Sequence, residues 1–556
     1  MKFSLAALSI SLALTPAVFA TDFDYSRPFP LSLLDYNNAD GYFDPVPFDV
    51  DNIRINSDNT SFLQNEEMVA INPQNTNNAV AIWRDFRLGY RRVGIGYTFD
   101  AGATWHDTLL VVPPYPWQSD PVLAVDSSGN YFACTLGLNG TDQGPTGIFV
   151  QKSTDGGITW ADPVTAIDSA MQYFEDKQMI VLDRTSGPTY GNIYIAWTRF
   201  TADFMTSNIY MVSSLDAGQS YGLPVSVSEG SGVQWPVPVV DENGAVFVAW
   251  FRYYPRGIYI DYSTDEGATF HSDLLVTSVT ATAGNINGGI LVFPYPALAS
   301  DLNPESRNYG NLYMVYMDDV GIDMDIFFMS SPDGFNWGPP LRINDDPNHN
   351  GADQFHPWIT VDDQGVIHTV FYDRRLDAAN YLFDLYYTRS SDGGLTWSPN
   401  ERITTVSSDP GQAILAGLIG EYIGLAAWGG QVQMAWTDTR NGNQDVYSGR
   451  MSLVSARDDE PSTPGGLAIT SLYPNPFNSG VSIKYNLPVT GEASVEIYDL
   501  AGRRVRTLSA GQATAGSGQV IWDGADILGQ PLASGVYFVR LNSAPISATQ
   551  KAVLLR

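Results

Sequence analysis

Arginines and carboxylates recur in this sequence at matching places. Segments that read as central strands end in WRDFR (Arg84, Asp85, Arg87), WTRF (Arg199), WFRYY (Arg252), YMDD (Asp318, Asp319), YDRR (Asp373, Arg374, Arg375) and WTDTR (Asp438, Arg440). The segments leading into each group of strands add Glu66 and Glu67, Asp120, Glu175 with Asp176 and Lys177, Trp235, Asp353 with His356, and Glu421 with Tyr422. A guanidinium binds a carboxylate through two parallel hydrogen bonds, while Asp, Glu and Trp hold hydroxyls and ring faces. Gathered round one mouth, such groups suit an acidic or polyhydroxylated sugar. The W-x-D-x-R spacing equally suits structural Asp–Arg pairs tying neighbouring sheets together. Both readings stand on the sequence.

Other chemistries find less support. The five histidines (His106, His271, His349, His356, His368) form no HExxH or close pair, and there is no Gly-rich phosphate loop or G-x-S-x-G elbow. Asp318, Asp319, Asp323 and Asp325, and again Asp345 and Asp346, offer oxygen ligands for Ca²⁺. They lack EF-hand spacing and read first as solvated loop charge, so no metal ligand is assigned.

Positioning these groups falls to a repeat. Ser/Thr-x-Asp-x-Gly-x-Thr/Ser-aromatic occurs as TFDAGATW (98–105), STDGGITW (153–160), SLDAGQSY (214–221), STDEGATF (263–270) and SSDGGLTW (390–397), with the shorter SPDGFNW at 331–337. Each reads as a hairpin turn in which Asp accepts backbone N–H groups, Gly supplies a positive φ and the aromatic packs between sheets. The pattern resembles the Asp-box, or bacterial neuraminidase repeat, of sialidase-like propellers, which implies fold far more than chemistry.

Around each turn the same four-strand order recurs. The second strands NAVAIWRD, NYFACTLG, NIYIAWTR, AVFVAWFR, NLYMVYMD, VIHTVFYD and VQMAWTDT count seven units. The seventh lacks a fourth strand, and NIRINSD (52–58), matching LRINDDP (341–347), is the candidate to supply it and close the ring. The fold class expected is all-β: a seven-bladed propeller, with the six blades of sialidase catalytic domains as the alternative, followed by a small Ig-like sandwich.

A retaining sialidase needs several arginines for the substrate carboxylate, an acid/base Asp and a Tyr nucleophile assisted by Glu. The family's Arg-Ile-Pro signature is absent, IRIN (53–56) having Asn56 in place of Pro. Glu421 and Tyr422, adjacent on a predicted strand, should face opposite ways. No catalytic residue is therefore carried over from that family.

Residues 1–20 have the layout of a cleaved signal peptide, with Lys2, an apolar run from Phe3 to Leu14 and the exit Val18-Phe19-Ala20. No later stretch is long and apolar enough for a transmembrane helix. The propeller is expected over 21–454, a linker over 455–466 and the sandwich over 467–556. That tail resembles the C-terminal sorting domain of type IX secretion through LYPNPFN (472–478), SVEIYDLAGRRV (494–505), ASGVYFVRL (533–541) and KAVLLR (551–556). The resemblance implies export across an outer membrane by the type IX machinery, often with removal of the tail and retention at the surface. The formal charge of −31 disfavours nucleic acid as a partner. Cys134 stands alone, so no intrachain disulfide forms. The expected function is a secreted or cell-surface protein binding extracellular glycans or glycoproteins, the alternative being a sialidase-like glycoside hydrolase with a rearranged site.

Overall fold

Apolar runs bounded by Gly, Asp and Asn form strands, and among the described residues helix is confined to two short 3₁₀ turns, Asn287–Gly289 and Pro410–Gln412. The computed structural model describes residues 50–453 apart from 112–114, 141–145, 169–172, 282–283, 320 and 413–417, and residues 468–556 apart from 474–476, 479, 488–489, 500–501, 515 and 544–545. The expected signal peptide, linker and Pro474-Asn475-Pro476 lie outside the described residues. The chain divides into two compact units at Leu453.

The first unit contains seven four-stranded antiparallel sheets among the described residues. In the first sheet Gln64–Ile71, Ala79–Asp85, Arg92–Thr98 and His106–Leu110 pair in chain order. The next five repeat that order from Trp117–Val125, Tyr173–Leu182, Val233–Val240, Ala297–Ser300 and Gln354–Val361. The seventh begins with Gly424–Trp428 and takes its fourth strand from far upstream: Ile53–Arg54 pairs with Asp445–Ser452, Ile53 opposite Ser448 and Arg54 opposite Tyr447. The first strands of successive sheets pack on one another, and that of the seventh packs on that of the first.

The repeated turns join third to fourth strands and hold each sheet to its predecessor. Ser153 Oγ donates to Asp155 Oδ1 at 2.9 Å and accepts the Gly157 N–H at 3.0 Å, while the Thr159 N–H donates to Oδ1 at 2.9 Å. Asp100, Asp216, Asp265 and Asp392 repeat this pattern, and Asp333 uses Asn336 in place of the Thr. Gly394 shows why glycine is required: φ is +89°, and a Cβ there would sit 2.1 Å from Phe328 of the preceding sheet. At Gly102 the same position abuts Gln433 of the seventh sheet.

In the second unit Val481–Leu487 pairs with Ala468–Tyr473 and Gly516–Trp522, and Gly491–Asp499 pairs with Arg504–Ala513 and Gly535–Ser543, the latter with Ile546–Leu554. Val481, Ile483 and Trp522 of one sheet share a buried core with Val495, Ile497, Val539 and Leu554 of the other.

Candidate functional site

Five of the seven first strands break register at one place: between Asn65 and Met68, Ser119 and Val122, Asp176 and Met179, Gln234 and Val237, and Phe355 and Trp358. Each break holds a non-glycine residue in the left-handed region: Glu66 (φ 62°), Asp120 (47°), Lys177 (51°), Trp235 (67°) and His356 (50°). A bulge re-aims one side chain out of strand alternation, and a left-handed backbone at a bulky residue costs about 1–3 kcal/mol, so its repetition at one level of five sheets marks a shared purpose. Pro121, Pro236 and Pro357 follow three of these residues.

The two remaining sheets contribute differently. In the seventh, Glu421 precedes the strand rather than lying on it as the sequence suggests, because the strand begins at Gly424. Gly420, with φ +85°, leads in so close to the first sheet that a Cβ would lie 2.7 Å from the Glu66 nitrogen. Ahead of the fifth sheet Tyr295 reaches in, its hydroxyl donating to the Glu421 carbonyl.

These side chains meet in one buried cluster. Lys177 Nζ lies 2.9 Å from Glu421 Oε2, 3.2 Å from Asp120 Oδ1 and 3.5 Å from Glu66 Oε1, and Arg84 reaches Glu66 Oε1 at 2.8 Å. The Lys177 ammonium also stands 5.1 Å from the Trp235 ring centroid, and Tyr295 stacks on Trp235 at 5.3 Å. Neither ring nitrogen of His356, nor Trp235 Nε1, has a hydrogen-bond partner among the described residues, although all three atoms are buried.

Four carboxylates and two cations share this space, and burial divides them. Burial pushes Glu66 well above the ordinary carboxylate range despite Arg84 and Lys177, and burial with the nearby Asp120 charge takes Asp176 to about 8. At Asp120 and Glu421 burial acts upward too, but Lys177 and Arg84 outweigh it and hold both below the ordinary range. Lys177 is raised, the surrounding carboxylates overcoming burial. The shifts run in opposite directions, favouring the proton on Glu66 and Asp176 and the charge on Asp120 and Glu421. Burial lowers His356 to about 4, leaving a neutral imidazole.

Of the seven candidate arginines, Arg84 alone joins the cluster; the others have partners elsewhere. Arg87 grips Asp85 at 2.7 Å, Trp83 Nε1 donates to the same carboxylate, and Arg440, Asp438 and Trp436 repeat the arrangement. Arg375 pairs with Asp373 and reaches Asp345 of the fifth sheet, Arg199 pairs with Glu175 at 2.6 Å, and Arg252 with Asp273 at 2.7 Å. Most of these pairs lie within one sheet. Glu67 turns away to accept the Thr437 hydroxyl at 2.7 Å, and the Tyr422 hydroxyl donates to the Pro121 carbonyl at 3.2 Å.

A segment that carries no motif covers the cluster. Gly284–Asn285 pairs with Leu291–Val292, and Phe293 and Tyr295 then pack on Trp235. Arg374, fully buried, donates to the Asn287 carbonyl at 2.7 Å and the Asn380 carbonyl at 2.9 Å, fastening this cap to the sixth sheet.

Residues 477–545 match the family model described as the FlgD Ig-like domain. No curated protein matches the chain. Among solved structures, it is similar to the Penicillium chrysogenum α-L-arabinanase complexed with arabinobiose (13% identity, 74% of this chain and 99% of that one, TM-score 0.40) and to the Hadza microbial sialidase Hz136 (14%, 61% and 66%, 0.39). A third, PorZ of Porphyromonas gingivalis, is described as an essential bacterial surface component of the type-IX secretion system (17%, 86% and 58%, TM-score 0.37).

Proposed function

We propose that the first unit is a seven-bladed Asp-box propeller that binds extracellular glycans at the cluster where its first strands meet. The observation that carries this reading is the set of buried, unpartnered donors and acceptors on His356 and Trp235 beside ionised Glu421 and Asp120. A buried polar atom without a partner is costly, and a hydroxyl-rich ligand supplies partners to all of these groups at once. Trp235 and Tyr295 offer ring faces for a sugar, and ligand entry displaces the Phe293–Tyr295 cap. The sequence signals support delivery to the cell surface: a signal peptide, then a tail resembling a type IX sorting domain, with the type IX machinery as partner.

A second reading, glycoside hydrolysis, is favoured by one observation. Burial pushes the Glu66 carboxyl up while Lys177 and Arg84 push Glu421 and Asp120 down around the same ammonium, the direction in which an acid and a base are set apart. The six arginines paired elsewhere weigh against a sialidase site, which needs several on one carboxylate.

The test is a glycan array probed with the full chain, together with fluorogenic sialoside and arabinoside substrates. The expected result is saturable binding to a defined glycan class, lost in Glu421→Gln and in His356→Phe. Binding unaffected by both changes refutes the site; turnover lost in Glu66→Gln replaces binding with hydrolysis.

A further inference from the structure

Below the cluster the first strands enclose a second space of a different character. Met68, Val122, Val237, Leu298, Trp358 and Leu425 face a central channel of about 430 Å³, within the range of about 300–1,000 Å³ of small-molecule sites. Its walls are largely aliphatic, and its far mouth lies where the first strands end. There Arg184, two residues past the first strand of the third sheet, places its guanidinium 5.1 Å from the ring centroid of Trp428, the last residue of the first strand of the seventh. The third and seventh sheets are not neighbours, so the pair spans the mouth.

Arg184 is unusual in this protein. The arginines of the first series are each engaged by a carboxylate or by carbonyls, whereas the Arg184 guanidinium has no hydrogen-bond or ion-pair partner among the described residues. The acids at the same mouth are occupied: Asp363 accepts the Gly429 N–H at 2.7 Å, and Asp362 holds His368 at 3.2 Å. Burial lowers the Arg184 pKa with no opposing charge. Arg184 is half-buried, and a partly desolvated cation left unpaired favours an anionic partner, while an apolar group displacing loosely held water from such walls gains affinity.

We propose that this channel is a separate ligand site for an amphipathic anion, its hydrocarbon body along the aliphatic walls and its carboxylate on Arg184 at the mouth. The recognition is chemical and bipartite. An uncharged chain satisfies only the walls, and a small anion such as acetate only the guanidinium.

The experiment titrates the full chain with dodecanoate, and in parallel with dodecanol and acetate, reading tryptophan fluorescence and heat. Trp358 and Trp428 both line the channel and report its occupancy. Dodecanoate is expected to bind one to one, at least tenfold tighter than either control, and Arg184→Gln to weaken it tenfold or more while leaving dodecanol unchanged. Ala427→Phe and Ala124→Leu, which fill the channel, should each abolish uptake, with circular dichroism confirming the fold of whichever is used. No saturable uptake, equal affinity for dodecanol, an unchanged affinity in Arg184→Gln, or full uptake by a folded channel-filled variant would each overturn the proposal. Arg184, Trp428, Ala124 and Ala427 lie toward the ends of the first strands away from the cluster, whereas Trp358 packs against its cap, so the Arg184→Gln and channel-filled variants separate the two sites and either can fail without the other.

Discussion

Glu67 gives the sharpest prediction about what burial does to this protein. Its side chain is fully buried, with Oε1 accepting the Thr437 hydroxyl at 2.7 Å and Oε2 unpartnered among the described residues. Burial raises its pKa from 4.5 to about 8, the Thr437 hydrogen bond offsetting only part. A carboxyl raised in the folded state stabilises fully below its unfolded pKa, and that contribution drains away as pH rises through the folded value. At about 1.4 kcal/mol per pH unit, the loss between pH 5.5 and 8 is roughly 3 kcal/mol. Glu67→Gln keeps a carbonyl for Thr437 and carries no charge at any of these pH values. Urea denaturation at the two pH values should therefore show the variant gaining roughly 3 kcal/mol on the wild type between pH 5.5 and 8. Parallel stability curves would refute the reasoning, because they would mean that Glu67 is ionised or solvated throughout.

Further outcomes follow from the cluster and the turns. Arg84→Met strands the buried Glu421 and Asp120 charges with one cation fewer and should cost about 3 kcal/mol by chemical denaturation. Gly394→Ala should cost about 2–3 kcal/mol, because its Cβ meets Phe328 at 2.1 Å, whereas Gly191→Ala, with a similar φ of +87° and nothing within 4 Å, should cost only about 1 kcal/mol by calorimetry. Arg375→Ala should lower the melting temperature without changing glycan affinity, since its partners Asp373 and Asp345 lie outside the cluster.

The turns were legible because their chemistry is local. Ser153, Asp155, Gly157 and Thr159 satisfy one another within seven residues, so spacing alone announces the hairpin and marks six of the seven sheets. The same locality misleads at W-x-D-x-R. Asp85 accepts the Arg87 N–H at 2.8 Å as well as its guanidinium, so a motif that looks like recognition closes on itself. The lead-in residues Asp120, Lys177, Trp235 and His356 stood in the sequence as candidates, but nothing in their types shows a left-handed backbone, which glycine usually signals. The proline after Asp120, Trp235 and His356 recurs, but it favours extended backbone in the residue before it and so points away from the left-handed region found there. Tyr295 and the cap carry no motif, and only the folded chain brings them over Trp235.

On the proposed function, the bulges of the first strands aim one side chain each at a shared ligand. A crystal structure of the full chain soaked with the glycan selected on the array tests it most directly. Sugar density is expected among His356, Trp235 and Glu421, with the Phe293–Tyr295 cap displaced and the His356 ring nitrogens hydrogen-bonded to hydroxyls. Sugar bound on an outer strand or turn, with the cluster and its cap unchanged, would contradict it.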